Sequence, residues 1–257
     1  MGGKSKKRSS GSRPAVTDTW ATFLLIALNI GAFFYLSNYN PDKTLMESLV
    51  LTPHNLFVSG EWQTLITSGF VHKNVSHLFF NMVGIFIFGS IVENRFGAFK
   101  TVLIYFLALV LSMLISAVTY TFVLDKNVGI IGASGAVMGL ISCAMLAEPF
   151  TVTYEAFIPV PVMIKGWMFF YADMKGFLGG EKDGISHLTH LAGFLSMSII
   201  IYFLDKKDRE EMFKGLVVNV LSFVAFFFLS KYLMEKWGLD SNILNWNLDI
   251  GQPVHKS

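Results

Sequence analysis

The sequence predicts an all-α polytopic membrane protein, and two observations predict it. Of its 257 residues, 53% are hydrophobic and 15% charged, with a mean hydropathy of +0.54. A soluble domain of this length needs more charge on its surface. The apolar residues also arrive in several runs of about 18 or more, long enough to cross a bilayer core of about 30 Å. Cys143 is the single cysteine, so there is no internal disulfide framework, and it says little about the redox compartment.

Taken in order, residues 1–18 open with Lys4, Lys6, Lys7, Arg8 and Arg13 among glycines and serines, the composition of a disordered tail. No small-residue cleavage site follows the first apolar run, so the tail reads as cytosolic rather than as part of a signal peptide. A first span covers 20–36 and is ended by Asn38, Asn40 and Pro41. Residues 37–75 are too broken to span and too apolar to float free, which makes them an interfacial loop. Further spans are expected at 76–91, 99–122, 130–146, 161–171, 185–204 and 215–233, seven in all. The fifth is the shortest, with a start nearer Ala156 and with Pro159 and Pro161 at its head, where a missing N–H costs little. Residues 151–154 alternate as a strand does and read as a short loop element. A charged inner loop at 205–214 precedes the seventh span, and 234–257 is a C-terminal tail. The sequence carries no internal repeat.

Orientation follows from the basic residues. With the N-terminus cytosolic, the inner side holds the tail, Arg95, Lys100, Lys206, Lys207, Arg209 and Lys214. The outer side holds a thinner set: Lys43, Lys73, Lys126, Lys175 and Lys182. Lys165 falls near the inner end of the fifth span, from where it can snorkel to the headgroups.

Polar residues inside the spans carry the functional information, because a polar group in hydrocarbon needs a partner. The second span opens with His72, His77 and Asn81, the fourth with Gly132, Ser134 and Gly135, and the sixth with His187, His190 and Gly193. These three spans run in the same direction. At about 1.5 Å per residue, His77, Ser134 and His190 then lie at a similar short depth. Gly132, Gly135, Gly139, Ser142 and Cys143 form a stripe of small residues that lets a neighbouring helix approach. Close approach of the sixth span, with Gly193 and Ser196 beside His190, gives Ser134 the adjacent base that a serine nucleophile requires. His77 and Asn81, four residues apart, share a helix face. Together with the Ser134 N–H they can donate to an oxyanion. No carboxylate is expected at that depth, so the expectation is a Ser-His dyad.

In this pattern the chain resembles the rhomboid intramembrane proteases. The matching motifs are His72, His77 and Asn81 in the second helix, Gly-x-Ser-Gly at 132–135 in the fourth, and His190 with Gly193 in the sixth. The resemblance covers roughly residues 19–204, and the three motifs together are highly specific where Gly-x-Ser-Gly alone is weak. Glu61 and Trp62 resemble the family's first-loop element, with Gln63 in place of its arginine, and Glu93, Arg95 and Gly97 resemble its charged turn. The resemblance implies a six-helix core with one helix added after it. It implies Ser134 as nucleophile, His190 as base, and His77 and Asn81 as oxyanion support. It also implies that 173–186 caps the site and that the fifth helix flexes to admit transmembrane-segment protein substrates from the lipid bilayer. Met138 stands where some relatives place a tyrosine that stacks on the histidine.

The plainer readings are weighed beside these. A lone intramembrane serine commonly bonds its own backbone or eases packing, and it is the combination with His190, His77 and Asn81 that favours chemistry. His72 reads as a support for the first loop, and His187 as structural or solvated. A metal site lacks both a His-Glu-x-x-His motif and an intramembrane carboxylate, with Asp173 and Asp183 assigned to a loop. No cofactor, metal or nucleic acid is expected. The rival expectation is a rhomboid-like protein that binds transmembrane clients without cutting them. Its signature would be loss of Ser134 or His190, and both are present.

Overall fold

The computed structural model describes residues 19–39, 43–155, 157–180 and 185–237. The expected tail at 1–18, residues 238–257 of the expected tail 234–257, and Asp183 lie outside them, while residues 234–237 continue the last helix rather than beginning a tail. In chain order the helices begin with α1 (Trp20–Tyr39), α2 (Lys43–Leu49), α3 (Pro53–Phe57) and α4 (Thr64–Thr67). They continue with α5 (Val75–Gly84), α6 (Ser90–Phe96), α7 (Ala98–Phe122), α8 (Ser134–Ala147) and α9 (Val162–Leu178). Last come α10 (His187–Leu195), α11 (Met197–Ile200) and α12 (Lys206–Trp237). A π-turn at Ile85–Gly89 joins α5 to α6, so Val75–Phe96 acts as one long helix.

Among the described residues, four helices are long and apolar enough to cross a membrane: Trp20–Asn38, Val75–Phe96, Ala98–Phe122 and Lys206–Leu233. Two shorter apolar helices, Ser134–Ala147 and His187–Phe203, accompany them. The first of these has 14 residues, about 21 Å of rise, and it is sheathed by protein: residues 135–145 are all buried. It sits at the centre of the bundle, packed most closely by α10 and α7 and then by α12. A helix so enclosed has no lipid to match, and its length is set by its neighbours instead.

Several expected boundaries move. The fourth helix begins at Ser134, not 130, which makes Ser134 its first residue. The fifth begins at Val162 after Pro161, not near Ala156, and runs seven residues beyond 171. The chain ahead of it is a β-hairpin, β1 (Val152–Glu155) against β2 (Ile158–Pro161), with Thr153 opposite Val160. The fold is helical, with this short hairpin as its one departure among the described residues. The expected inner loop 205–214 is mostly helix, because Asp205 caps α12 by accepting from the Asp208 N–H at 3.0 Å. Lys165 does not snorkel. It is buried, with its ammonium donating to the Tyr154 carbonyl of the hairpin at 3.4 Å.

Two polar clusters fix the bundle around the turn from α6 to α7. Buried Glu93 caps α1, accepting from the Ala21 N–H at 2.9 Å and the Thr22 N–H at 2.7 Å. Lys100 pairs with Asp205 and Asp208, and Arg95 with Glu148 and Glu211, which ties α12 to α6 and α7.

Candidate active site

The approach to Ser134 is held by the first loop. Ile130 N–H donates to the Leu51 carbonyl at 2.8 Å, and Gly132 N–H donates to the Ser68 carbonyl at 2.9 Å. At Gly132 the chain turns with φ +103°, a conformation that suits glycine. Two residues later Ser134 opens α8 half-buried, so its amide has no intrahelical acceptor.

Gly132 is also where the second helix arrives. A Cβ placed there would stand 2.6 Å from Cε1 and 2.7 Å from Nε2 of His77, and 3.8 Å from Nδ2 of Asn81. His77 Nδ1 accepts from the Lys73 N–H at 3.4 Å, which puts the ring proton on Nε2, the nitrogen that faces Gly132. Asn81 is buried, and its Nδ2 donates to the His77 carbonyl at 3.0 Å. Two N–H donors of α5 thus flank the turn that presents Ser134.

α10 comes against α8 through glycines. A Cβ on Gly193 would meet the Gly135 carbonyl oxygen at 2.1 Å, and one on Gly139 would meet the Ala108 Cβ at 2.3 Å. A Cβ on Gly135 would crowd Ser112, with Thr189 also in contact. The expected small-residue stripe therefore serves α7 and α10 at once. His190, one turn before Gly193, lies on the face turned to the start of α8.

A carboxylate is present at this depth, contrary to the expectation of none. Asp173 is not in a loop but on α9, where it is buried. Its Oδ1 accepts from His190 Nδ1 at 2.8 Å and from His187 Nδ1 at 2.7 Å. The segment expected to be a loop over 173–186 is helical as far as Leu178. His187 is buried rather than solvated, its ring packed where a Cβ on Gly176 would fall 2.2 Å from Nε2.

Ligand-type atoms of Asp173, His187 and His190 lie within 4.8 Å of one another. Ligands of a tetrahedral zinc stand about 3.3 Å apart at bond lengths of about 2.0 Å. The observed 2.7 and 2.8 Å are hydrogen-bond lengths, so the cluster is built as one carboxylate shared by two imidazole N–H groups.

The remaining expected residues lie as follows. His72 is buried, its Nδ1 bonds the Phe70 carbonyl at 3.3 Å, and its ring stands 5.1 Å from that of His77. Met138 is core. Trp62 is exposed and packs edge-on against Phe57, which in turn packs against Phe122, an anchor for the first loop. Gln63 takes the N-cap position of α4. Asp173 lies two residues past the expected end of the fifth span at 171, and Gly179 and Gly180 are the sequence signal that carries the helix on to Leu178.

The chain is similar in sequence to known proteins. RHOMBOID-like protein 12, mitochondrial, of Arabidopsis thaliana is 28% identical over 183 residues, covering 66% of this chain and 54% of that protein. Rhomboid protease AarA of Providencia stuartii is 27% identical over 216 residues, covering 77% and 75%. Rhomboid protease GluP of Bacillus subtilis is 30% identical over 174 residues, covering 63% and 33%. The chain thus spans about half of the first of these relatives and a third of the last. The family model described as Rhomboid domain matches residues 59–207, which run from the first loop through α11 and include Ser134, His190, His77 and Asn81. This is an integral membrane protein, and it belongs to the rhomboid family.

Proposed function

We propose that the chain is an intramembrane serine endopeptidase that cuts transmembrane segments of other membrane proteins. The observation that supports the reading is that α5 brings His77 and Asn81 to the Gly132 turn two residues before Ser134, while α10 sets Gly193, one turn after His190, against Gly135. Ser134 Oγ attacks the scissile carbonyl while His190 Nε2 takes its proton. His77 Nε2–H, Asn81 Nδ2–H and the Ser134 N–H receive the oxyanion. The His190 proton passes to the leaving amine as the C–N bond breaks. Water, deprotonated by His190, then cleaves the acyl-enzyme and restores Ser134.

The architecture is a six-helix core, 19–204, with α12 as the added seventh helix and the N-terminus cytosolic, as the basic residues favour. Substrates enter from the lipid bilayer, carry small residues near the cut and unwind easily.

The test is cleavage of a reporter transmembrane segment in proteoliposomes, with products identified by mass. Wild type is expected to cut, and Ser134→Ala and His190→Ala to lose at least about a thousandfold in rate. Association with the reporter and no product from well-folded wild type would instead identify a client-binding rhomboid without protease activity.

A further inference from the structure

We infer that Asp173 is the positioning residue for His190, so that the site works as Asp173, His190 and Ser134 in series. The inference rests on the protease reading above and adds to it the element on which this carboxylate stands, α9. Asp173 stands on neither the helix of Ser134 nor that of His190.

Three observations converge. First, the side chain of Asp173 is 7% exposed. A carboxylate removed from water to that extent costs several kcal/mol unless it is well paired. Second, its partners are two ring N–H groups meeting one oxygen, His190 Nδ1 at 2.8 Å and His187 Nδ1 at 2.7 Å. Only Nδ1–H donors satisfy that oxygen, so the proton of neutral His190 is fixed on Nδ1 and the lone pair is left on Nε2. That is the tautomer a base beside Ser134 needs. Third, the pair is built in from both sides. Gly176, one turn after Asp173 on α9, leaves room for the His187 ring where any Cβ would collide with it. On the other side, Tyr120 and Thr189 hold Ser186, at the start of α10, by contacts of 3.2 and 2.7 Å.

The chemistry follows from the geometry. When His190 Nε2 takes the Ser134 proton, the imidazolium carries a positive charge whose Nδ1–H already points at the Asp173 carboxylate. The charge is stabilised, and the carboxylate keeps no proton. Since Asp173 rides on α9, base orientation depends on where that helix sits. An outward swing of α9 that draws Asp173 away from α10 leaves the His190 ring free to rotate and to change tautomer. The position of α9 and the readiness of the base are therefore linked through this one hydrogen bond.

Asp173→Asn is the direct test, with the purified full chain and the reporter segment in proteoliposomes. The amide keeps the shape but removes the negative charge that stabilises the imidazolium, and its NH2, when turned toward His190, opposes the required tautomer. The expected result is a fall in kcat of about a hundred- to ten-thousandfold with KM within about threefold of wild type. Asp173→Glu is expected to recover part of the kcat, because it restores the charge. An unchanged kcat in Asp173→Asn, while Ser134→Ala is inactive, overturns the inference and leaves the protease reading standing. Inactive wild type removes both. A kcat loss matched by a comparable rise in KM and a fall in melting temperature assigns Asp173 to structure and also overturns it.

A second measurement needs no Asp173 variant. In 15N-histidine NMR of wild type, the His190 signals are assigned from their loss in His190→Gln. They are expected to show the proton on Nδ1 in a hydrogen bond. A His190 protonated on Nε2 contradicts the inference whatever the variants do.

Discussion

The histidines around Ser134 differ in what each ring nitrogen is given to do. His190 and His187 spend Nδ1 on Asp173, and His77 spends Nδ1 on a backbone N–H and turns Nε2–H toward Gly132. His72 gives Nδ1–H to the Phe70 carbonyl, and its Nε2 is buried without a partner among the described residues. Adding a proton there buries a charge with nothing to receive it. Burial, with His77 alongside as the second cause, accordingly pushes the His72 pKa down from 6.5 to about 4. The folded protein then holds this proton less tightly than the unfolded chain does. Stability from this residue is intact above about pH 6.5, drains as the pH falls, and is fully lost below about 4. Melting temperature measured from pH 7.5 to 4 is expected to fall along this window in wild type and less steeply in His72→Asn. Equal slopes would assign the acid sensitivity to other groups.

At the scale of elements, the site depends on helices that approach without side chains between them. Gly193 lets α10 rest on the Gly135 carbonyl of α8, next to Ser134. Gly193→Ala puts a methyl against backbone that cannot rotate away, so the helices must part. The expected cost is about 1–3 kcal/mol of stability, with a larger proportional loss of reporter cleavage than of folded protein. Cleavage that falls only as far as folding does would show that the spacing is not critical. This packing was legible in the sequence, because glycines at helical spacing have few other uses in a membrane bundle. The start of α8 was not legible. Residues 130–133 are as apolar as the helix, and they leave it because the first loop binds their backbone, a contact from distant sequence. Asp173 was hidden for a related reason. A charged residue past an aromatic run looks like the end of a span, and the two imidazoles that make it tolerable come from another helix.

For the molecule as a whole, α12 matters as a clamp on the core. Its Asn219 donates to the Met145 carbonyl at 2.9 Å, and a Cβ on Gly215 would strike the Leu146 carbonyl oxygen, both near the end of α8. Lys100 and Arg95 bind its acidic first turns. The charged stretch after 204 read as a loop because its partners lie about a hundred residues earlier, although Asp205 is a good N-cap in sequence terms. Lys100→Met strands the buried Asp208 carboxylate and is expected to cost about 1–3 kcal/mol, seen as a lower melting temperature and faster proteolysis near residue 205. A variant as stable as wild type would show that Asn219 and Gly215 alone hold α12.

The central claim is that Ser134 is activated by His190. Fluorophosphonate labelling of the detergent-solubilised full chain tests it most directly, since it needs no substrate. Labelling is expected in wild type and lost in both Ser134→Ala and His190→Ala. Wild-type labelling that persists in Ser134→Ala would contradict the nucleophile, and labelling unchanged in His190→Ala would contradict its base.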